Sequence, residues 1–324
     1  MRGRTPSVVA ATGFLAAVLL GCHDSPPAPR PSSPVPATSP APSPGMAGRA
    51  RRTTDGAIAV GNLDAQINGT ERLGRSRALS AKERASQAEL LTQRGQILGR
   101  ISDYEAAAAI AEGLVREAPR DSIAWLTRAS SRITFHRFSD ALADLDEAKR
   151  LGAAPAALDR MRAAILQATG KEADALSIRR RMSEAHPDIL TLGAEATLRA
   201  ARGELAEAER LFAAALDGYR DVSPFPVAWI EFQHGLVRMR EEQYADAREL
   251  LSSAHRRLPQ YAQAQGHLAE VEAALGHTDA AVALLQPLAE TSEDPDYAAQ
   301  LARILTEADR TDAAAPWRMR AAAR

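Results

Sequence analysis

The side chain with the most distinctive chemistry in this 324-residue sequence is its single cysteine, Cys22. A chain with one thiol cannot form an intrachain disulfide or a multi-cysteine metal site. Cys22 follows an apolar stretch from Val8 to Leu20, which is preceded by Arg2 and Arg4. A membrane-spanning helix needs about 20 apolar residues, so this stretch is too short to be one, but its length suits the apolar part of a signal peptide. Cys22 therefore lies directly after a segment that suits a signal peptide.

The residues that end at this thiol, Leu19-Leu20-Gly21-Cys22, resemble a bacterial lipobox. The resemblance implies that residues 1–21 are a lipoprotein signal peptide and that Cys22 carries the lipid anchor. Several acyl chains, at about 0.8 kcal/mol per buried CH₂ group, would hold the protein stably on a membrane. His23 stands where Asp would direct retention in the inner membrane, which favours an outer-membrane location facing the periplasm. The alternative is an ordinary secretory leader with a chance cysteine.

Residues that could support catalysis show no arrangement typical of an enzyme. None of the histidines is in an HExxH spacing, and the sequence has no GxxxxGK[ST] phosphate loop or GxSxG nucleophile turn. Forty basic residues balance 41 acidic ones, so no basic surface for nucleic acid is indicated. We therefore predict a non-enzymatic protein without a cofactor or metal. The histidines are His23, His136, His186, His234, His255, His267 and His277.

The composition changes sharply between the predicted anchor and the remainder of the chain. Residues 22–46 are rich in Pro, Ser and Ala, and nine of the 19 prolines lie there. Such a segment cannot bury a core and samples extended polyproline II, so we interpret it as a lipid-anchored disordered spacer. A Pro-rich docking motif is the alternative. Residues 47–87 are interpreted as a further linker with a capping helix, whose apolar residues are Ile58, Leu63, Ile67, Leu73 and Leu79.

The rest of the chain repeats with a period near 34 residues. Small residues recur at intervals of 34, 34, 33, 39, 34 and 33, and a second series of alanines follows the same rhythm. Each unit is predicted to be a helix, a tight turn and a second helix. The first series is Gly95, Ala129, Ala163, Ala196, Gly235, Ala269 and Ala302, and the second is Ala107, Ala141, Ala175, Ala208, Ala247, Ala281 and Ala314.

This pattern resembles the tetratricopeptide repeat over residues 88–324. The small residues let two helices cross closely, and Pro119, Pro187 and Pro259 mark helix ends. The resemblance implies an all-α, right-handed helical repeat solenoid of about seven units. The third unit departs from the pattern, because Glu172 and Arg179 stand where larger apolar residues are usual. We therefore expect looser packing in that unit.

The 39-residue interval contains an insertion, Gly218–Val227, and the helix that follows it holds the candidate site. First helices of tetratricopeptide repeats line the concave groove, so an apolar strip here would suit a partner helix or extended peptide. Alternatively, Trp229 and Phe232 simply pack beneath the inserted loop around Phe225. The predicted groove residues are Trp229, Phe232, Gln233, Leu236, Met239 and Arg240.

These features predict a membrane-anchored scaffold or adaptor that binds another protein of the bacterial cell envelope, or a peptide from one. Family members of this layout serve secretion or pilus assembly and cell-wall remodelling, and the resemblance does not choose among these roles. The alternative is a binding module for a lipid, a glycan or a small peptide in the solenoid groove. A closed apolar pocket near Trp229 would favour that alternative.

Overall fold

A computed structural model describes residues 52–323, which form fifteen helices and no strand. The predicted signal peptide, the anchor Cys22 and the Pro-rich spacer lie outside the described residues. The helices are α1 Gly56–Ser76, α2 Ala81–Leu98, α3 Ile101–Glu117, α4 Ser122–Thr134, α5 Phe138–Arg150, α6 Pro155–Ala168, α7 Glu172–Ala185, α8 Ile189–Ala201, α9 Leu205–Gly218, α10 Pro224–Arg240, α11 Tyr244–Arg257, α12 Ala262–Ala274, α13 Thr278–Thr291, α14 Asp296–Glu307 and α15 Thr311–Ala322.

Helices α2 to α15 form seven consecutive pairs, which we number unit 1 (α2 and α3) to unit 7 (α14 and α15). The small residue of every first helix and the alanine of every second helix are buried. Side chains this small let the helices of a unit approach and let the next unit stack upon them. The predicted all-α solenoid of about seven units is therefore confirmed.

The turn inside each unit depends on one residue in the left-handed region. In units 2 to 7 this residue lies seven positions after the small residue of the first helix. Three of the six are glycines, which adopt positive φ without strain, and three are not. The residues are His136 (φ 57°), Gly170 (76°), Gly203 (79°), Glu242 (57°), Gly276 (84°) and Asp309 (59°).

Helix ends are fixed by capping residues. The Ser80 side chain accepts a hydrogen bond from the Glu83 amide, and the Glu83 carboxylate accepts one from the Ser80 amide at 2.8 Å. Asp55 caps α1 by accepting from the amides of Ala57 and Ile58. These bonds satisfy N–H groups that a helix start leaves without partners, so α1 and α2 begin at defined residues.

The apolar core is interrupted at α7. One cluster, which includes Leu145 and Ile165, contains buried residues from α4, α5 and α6. Another cluster, which includes Phe212, contains buried residues from α8, α9 and α10. Neither contains a residue of α7, although that helix lies between them in the chain. This interruption falls in the third unit, and the looser packing expected there stays a prediction.

Candidate protein-binding groove

Helix α10 is buried along most of its length. Every residue from Val227 to Val237 is buried, and Pro224 at the helix start follows the inserted loop. A helix enclosed on several sides carries little free surface for a partner. Among the predicted groove residues, Trp229 is 3% exposed, Phe232 0%, Gln233 2% and Leu236 8%, whereas Met239 is half-buried and Arg240 is exposed.

Phe232 and Leu236 join a cluster that contains residues from α1, α2 and α12. The ring of Phe232 lies 5.1 Å from the ring of Tyr261 and 5.6 Å from that of His267, both measured between centroids. Phe225, in the first turn of α10, packs against the same cluster. The face of α10 that carries Phe232 and Leu236 is therefore covered by other parts of this chain.

Trp229 belongs to a different cluster, which it shares with residues of α8 and α9. A Cβ added to Gly193 of α8 would lie 2.6 Å from Cζ3 of Trp229, so the indole occupies the space that glycine leaves. The structure thus separates Trp229 from Phe232 instead of placing both on one free strip. Trp229 is therefore packed as a core residue of this second cluster.

The helix that covers the groove is α1. Its buried residues lie on one face at helical spacing, and they pack with residues of α2 and α10, the first helices of units 1 and 5. First helices line the concave side, so α1 occupies the position that a bound helix would take. The buried residues of α1 are Gly56, Ala59, Val60, Leu63 and Ile67.

The start of α1 is held by the inserted loop and by the end of α11. The Thr54 amide donates to the Val222 carbonyl at 2.7 Å, and Arg257 Nη1 donates to Thr53 Oγ1 at 3.0 Å. A Cβ on Gly56 would lie 2.9 Å from the Leu258 Cα atom, so only glycine allows this approach. The insertion that the sequence singled out therefore holds the segment before α1.

Two arginines stabilise the groove by ion pairs. Arg94 donates two hydrogen bonds to Asp103, at 2.8 and 2.6 Å, and a third at 2.9 Å to Asp64 of α1. The hydrogen bonds to Asp103 raise the pKa of Arg94, and the guanidinium stays charged. Arg257 binds Glu231 in the same two-pronged way, at 3.1 and 3.0 Å. Paired arginine–carboxylate geometry is among the stronger polar contacts in proteins.

The two ends of the solenoid meet on one side. The Ser102 amide and hydroxyl, at the start of α3, donate to Glu293 at 2.7 and 2.8 Å. The bond from the Ser102 amide holds the pKa of Glu293 below its usual range. The Ser292 hydroxyl donates to the Gly99 carbonyl at 3.3 Å. Unit 1 thus contacts the turn between units 6 and 7, and the groove that contains α1 is enclosed.

The described residues provide neither a metal centre nor a membrane span. Within residues 52–323, no group of three or more His, Cys, Asp or Glu side chains is arranged to hold a metal ion. In the same part of the chain, the helices are too short or too polar to cross a bilayer.

Comparison with known proteins supports the fold. Residues 238–304 match a family described as tetratricopeptide repeat. The human IFIT1 dimer with m7Gppp-AAAA is similar over 82% of this chain and 64% of that chain, with 19% identity and a TM-score of 0.60. The APC/C hetero-tetramer Cut9-Hcn1 is similar over 81% of this chain, with 13% identity and a TM-score of 0.57.

A tetratricopeptide repeat protein from Parabacteroides merdae covers 75% of this chain and 92% of its own, with 14% identity and a TM-score of 0.49. No significant match was found among curated protein sequences. The chain spans 49% of the Cut9-Hcn1 chain and 64% of the IFIT1 chain. At these identities the likeness concerns the fold alone.

The helix pairs, their register and the likeness to the two structures with TM-scores of 0.57 and 0.60 define one class of fold. Residues 81–322 form a helical repeat solenoid of the tetratricopeptide type, and residues 238–304, from the end of α10 into α14, match that family in sequence. Proteins of this fold generally act as scaffolds for other proteins.

Proposed function

We propose that this chain is a membrane-anchored tetratricopeptide repeat lipoprotein that acts as a protein–protein interaction scaffold or adaptor in the bacterial cell envelope. Support for the anchor comes from the lipobox-like residues that end at Cys22, and His23 favours the outer membrane facing the periplasm. The Pro-rich spacer would separate the solenoid from the membrane by some tens of ångströms, at about 3.1 Å per residue. The role is non-catalytic and needs no cofactor.

One observation carries the proposal: an amphipathic helix of this chain, α1, packs against the first helices of units 1 and 5, α2 and α10. The groove receives Val60, Leu63 and Ile67, whose spacing of three and four residues is that of one helical face. Helix-in-groove recognition uses the same spacing of apolar anchors. The occupant in the proposed complex is an amphipathic helix of a partner protein, which contacts the rim at Met239 and replaces α1 in the groove.

Membrane anchoring would affect the competition between α1 and the partner helix for the groove. Because α1 is part of the same chain, it competes at a high effective concentration, and a partner must exceed that advantage to displace it. A partner that is itself confined to the envelope regains part of the advantage. A scaffold of this kind would therefore be occupied by its own helix until the partner is close.

The proposal is tested by photo-crosslinking in living cells. A photoreactive residue replaces Met239 at the groove rim, and a matched probe replaces Glu249, which is exposed on the second helix of the same unit. We expect one discrete envelope protein to be captured at position 239 and not at 249. Capture of the same proteins at both positions would contradict a groove scaffold, as would bonds from position 239 to α1 alone.

The anchor is tested separately. Cys22→Ser removes the thiol that would accept the lipid, so labelled palmitate should no longer be incorporated and the protein should leave the membrane fraction. Unchanged palmitate labelling of the Ser variant would refute the anchor, while the groove proposal would still stand on its own crosslinks.

A further inference from the structure

Helix α7 buries an arginine, whereas the charged side chains that other second helices bury, Asp103 of α3 and Asp144 of α5, are paired with arginines. Its buried residues are Ala175, Arg179 and Ser183, which are four residues apart and share one face. Arg179 is 3% exposed, as deeply buried as many core leucines. Charged side chains are almost never buried to this extent unless they are paired.

The repeat register shows how unusual this position is. Arg179 lies four residues after the alanine of its second helix, and the same position in the other enclosed units belongs to the core. Those residues are Ala111, Leu145, Phe212, Leu251 and Leu285, each 0% exposed. A guanidinium therefore occupies a place that the fold otherwise reserves for apolar side chains.

No carboxylate of residues 52–323 forms an ion pair with Arg179, and its Nε atom has no hydrogen-bond partner. The nearby buried carboxylate, Glu195, is engaged elsewhere, because it accepts a hydrogen bond from Ser183 and another from Arg199 Nε at 2.7 Å. Arg160 of α6 adds a second positive charge close to Arg179. Burial, and then the charge of Arg160, lower the pKa of Arg179 to about 10, so the side chain remains protonated at neutral pH.

A buried cation without a counter-charge is costly, and positive charge concentrated in a low-dielectric interior attracts an anion. The planar guanidinium offers five N–H donors in a fork that matches an oxyanion. Protein atoms cover all but 3% of Arg179, so the ligand must be compact and the side chains around the guanidinium must move to admit it. We propose that Arg179 is the binding group of a site for a compact oxyanion of the phosphate class, between α6, α7 and α8.

This site is independent of the scaffold role. It is tested on the purified protein with inorganic phosphate as the probe, against chloride at the same pH and ionic strength. The test variant is Arg179→Leu, because leucine is the residue that units 2, 5 and 6 carry at this position. The matched control is Arg180→Leu, which removes the neighbouring guanidinium, 60% exposed on the solvent side of the same helix.

We expect phosphate to raise the Tm of the natural protein and of Arg180→Leu by about 2 to 4 °C at roughly tenfold excess over Kd. Arg179→Leu should have a higher Tm in chloride, since it replaces a buried charge with an apolar side chain, and it should show no phosphate-specific rise. Equal phosphate effects in Arg179→Leu and the natural protein would overturn the proposal, as would the absence of any effect in the natural protein.

Titration calorimetry keeps the proposal testable if Arg179→Leu folds poorly. Arg179→Lys retains the charge and loses the fork, so it should bind inorganic phosphate at least tenfold more weakly than the natural protein. Equal affinity of the two would contradict a guanidinium site. Phenyl phosphate separates the two sources of the ligand: competition with inorganic phosphate assigns the terminal group of a larger molecule, and its failure to compete assigns the free ion.

Discussion

Units 3 and 5 have the same repeat register and different interiors. Four residues after the alanine of the second helix, unit 5 carries Leu251 and unit 3 carries Arg179. Leu251 packs so closely against α10 that a Cβ added to Gly235 would lie 2.8 Å from its Cγ atom. Arg179 is almost as deeply buried, and no residue of its helix belongs to the apolar clusters formed by α4 to α6 and by α8 to α10. The small residues thus fix the helix crossings in both units, while the side chain beside them can change in kind.

The difference follows from what each unit must support. Unit 5 is packed against units 4 and 6 and also against α1, so its interior is part of the enclosed groove. Unit 3 contacts the units next to it in the chain. The cluster that contains the buried residues of α1 has no residue of unit 3. In a solenoid, stability is roughly a sum of terms between neighbours, so one unit can hold a polar interior while the others keep the fold.

The largest expected effect on stability comes from placing the arginine of unit 3 at the equivalent position of unit 5. Leu251→Arg places a charge without a partner in the packed apolar core of unit 5. We expect a loss of about 5 kcal/mol or more in the free energy of unfolding, measured by urea denaturation. Glu249→Arg, which introduces the same side chain on the exposed face of α11, is the control and should change stability by less than about 0.5 kcal/mol. A tolerated Leu251→Arg would show that any unit accepts a buried charge.

The packing of the groove is tested next. Phe232→Ala removes a fully buried ring that contacts Tyr261 and the α1 cluster, and we expect a cost of about 3 to 5 kcal/mol in urea denaturation. Phe135→Ala is the matched control, since that ring is 43% exposed at the end of α4. Its loss should cost well under 1 kcal/mol. Equal costs for the two rings would mean that the groove around Phe232 is not the packed centre of the molecule.

We expect α1 to detach from the groove at a lower free energy than is needed to unfold the core beneath it. Leu63→Ala leaves a gap between α1 and the groove, and we expect α1 to lose about 2 to 3 kcal/mol of protection against hydrogen exchange. Ile58→Ala is the control, because Ile58 lies on the same helix and is 59% exposed. Increased exchange throughout the solenoid, rather than in α1, would show that α1 is an integral part of the core and not a replaceable occupant.

Most of the fold was predictable from one sequence signal. A small residue every 33 or 34 residues can serve only close helix crossings, so Ala129 and its counterparts indicated the unit boundaries directly. The 39-residue interval likewise located the inserted loop. These features are local, or they repeat between neighbouring units, and a single sequence contains them.

The contents of the groove were less predictable, for physical reasons. Trp229 and Phe232 lie three residues apart and were interpreted as one strip, but α10 is enclosed on both sides, so helical spacing could not show which neighbour each ring meets. The cover itself, α1, meets α10 across about 170 residues of sequence. Helical spacing alone also did not single out Val60, because Ile58, which is exposed, is as apolar as the residues that α1 buries. The ligand-binding role of the six predicted groove residues stays a prediction.

The smallest effect concerns the turns, which differ between the two units in one residue. Unit 3 has Gly170 in the left-handed position, whereas unit 5 has Glu242 there, at a φ of 57°. A side chain in this region costs about 1 kcal/mol that glycine avoids. Glu242→Gly should therefore stabilise the protein by about 0.5 to 1 kcal/mol in urea denaturation. Glu241→Gly is the control, because Glu241 has a φ of −80°, where glycine gains nothing and loses chain entropy. A destabilising Glu242→Gly would show that the glutamate side chain, rather than the backbone conformation, holds this turn.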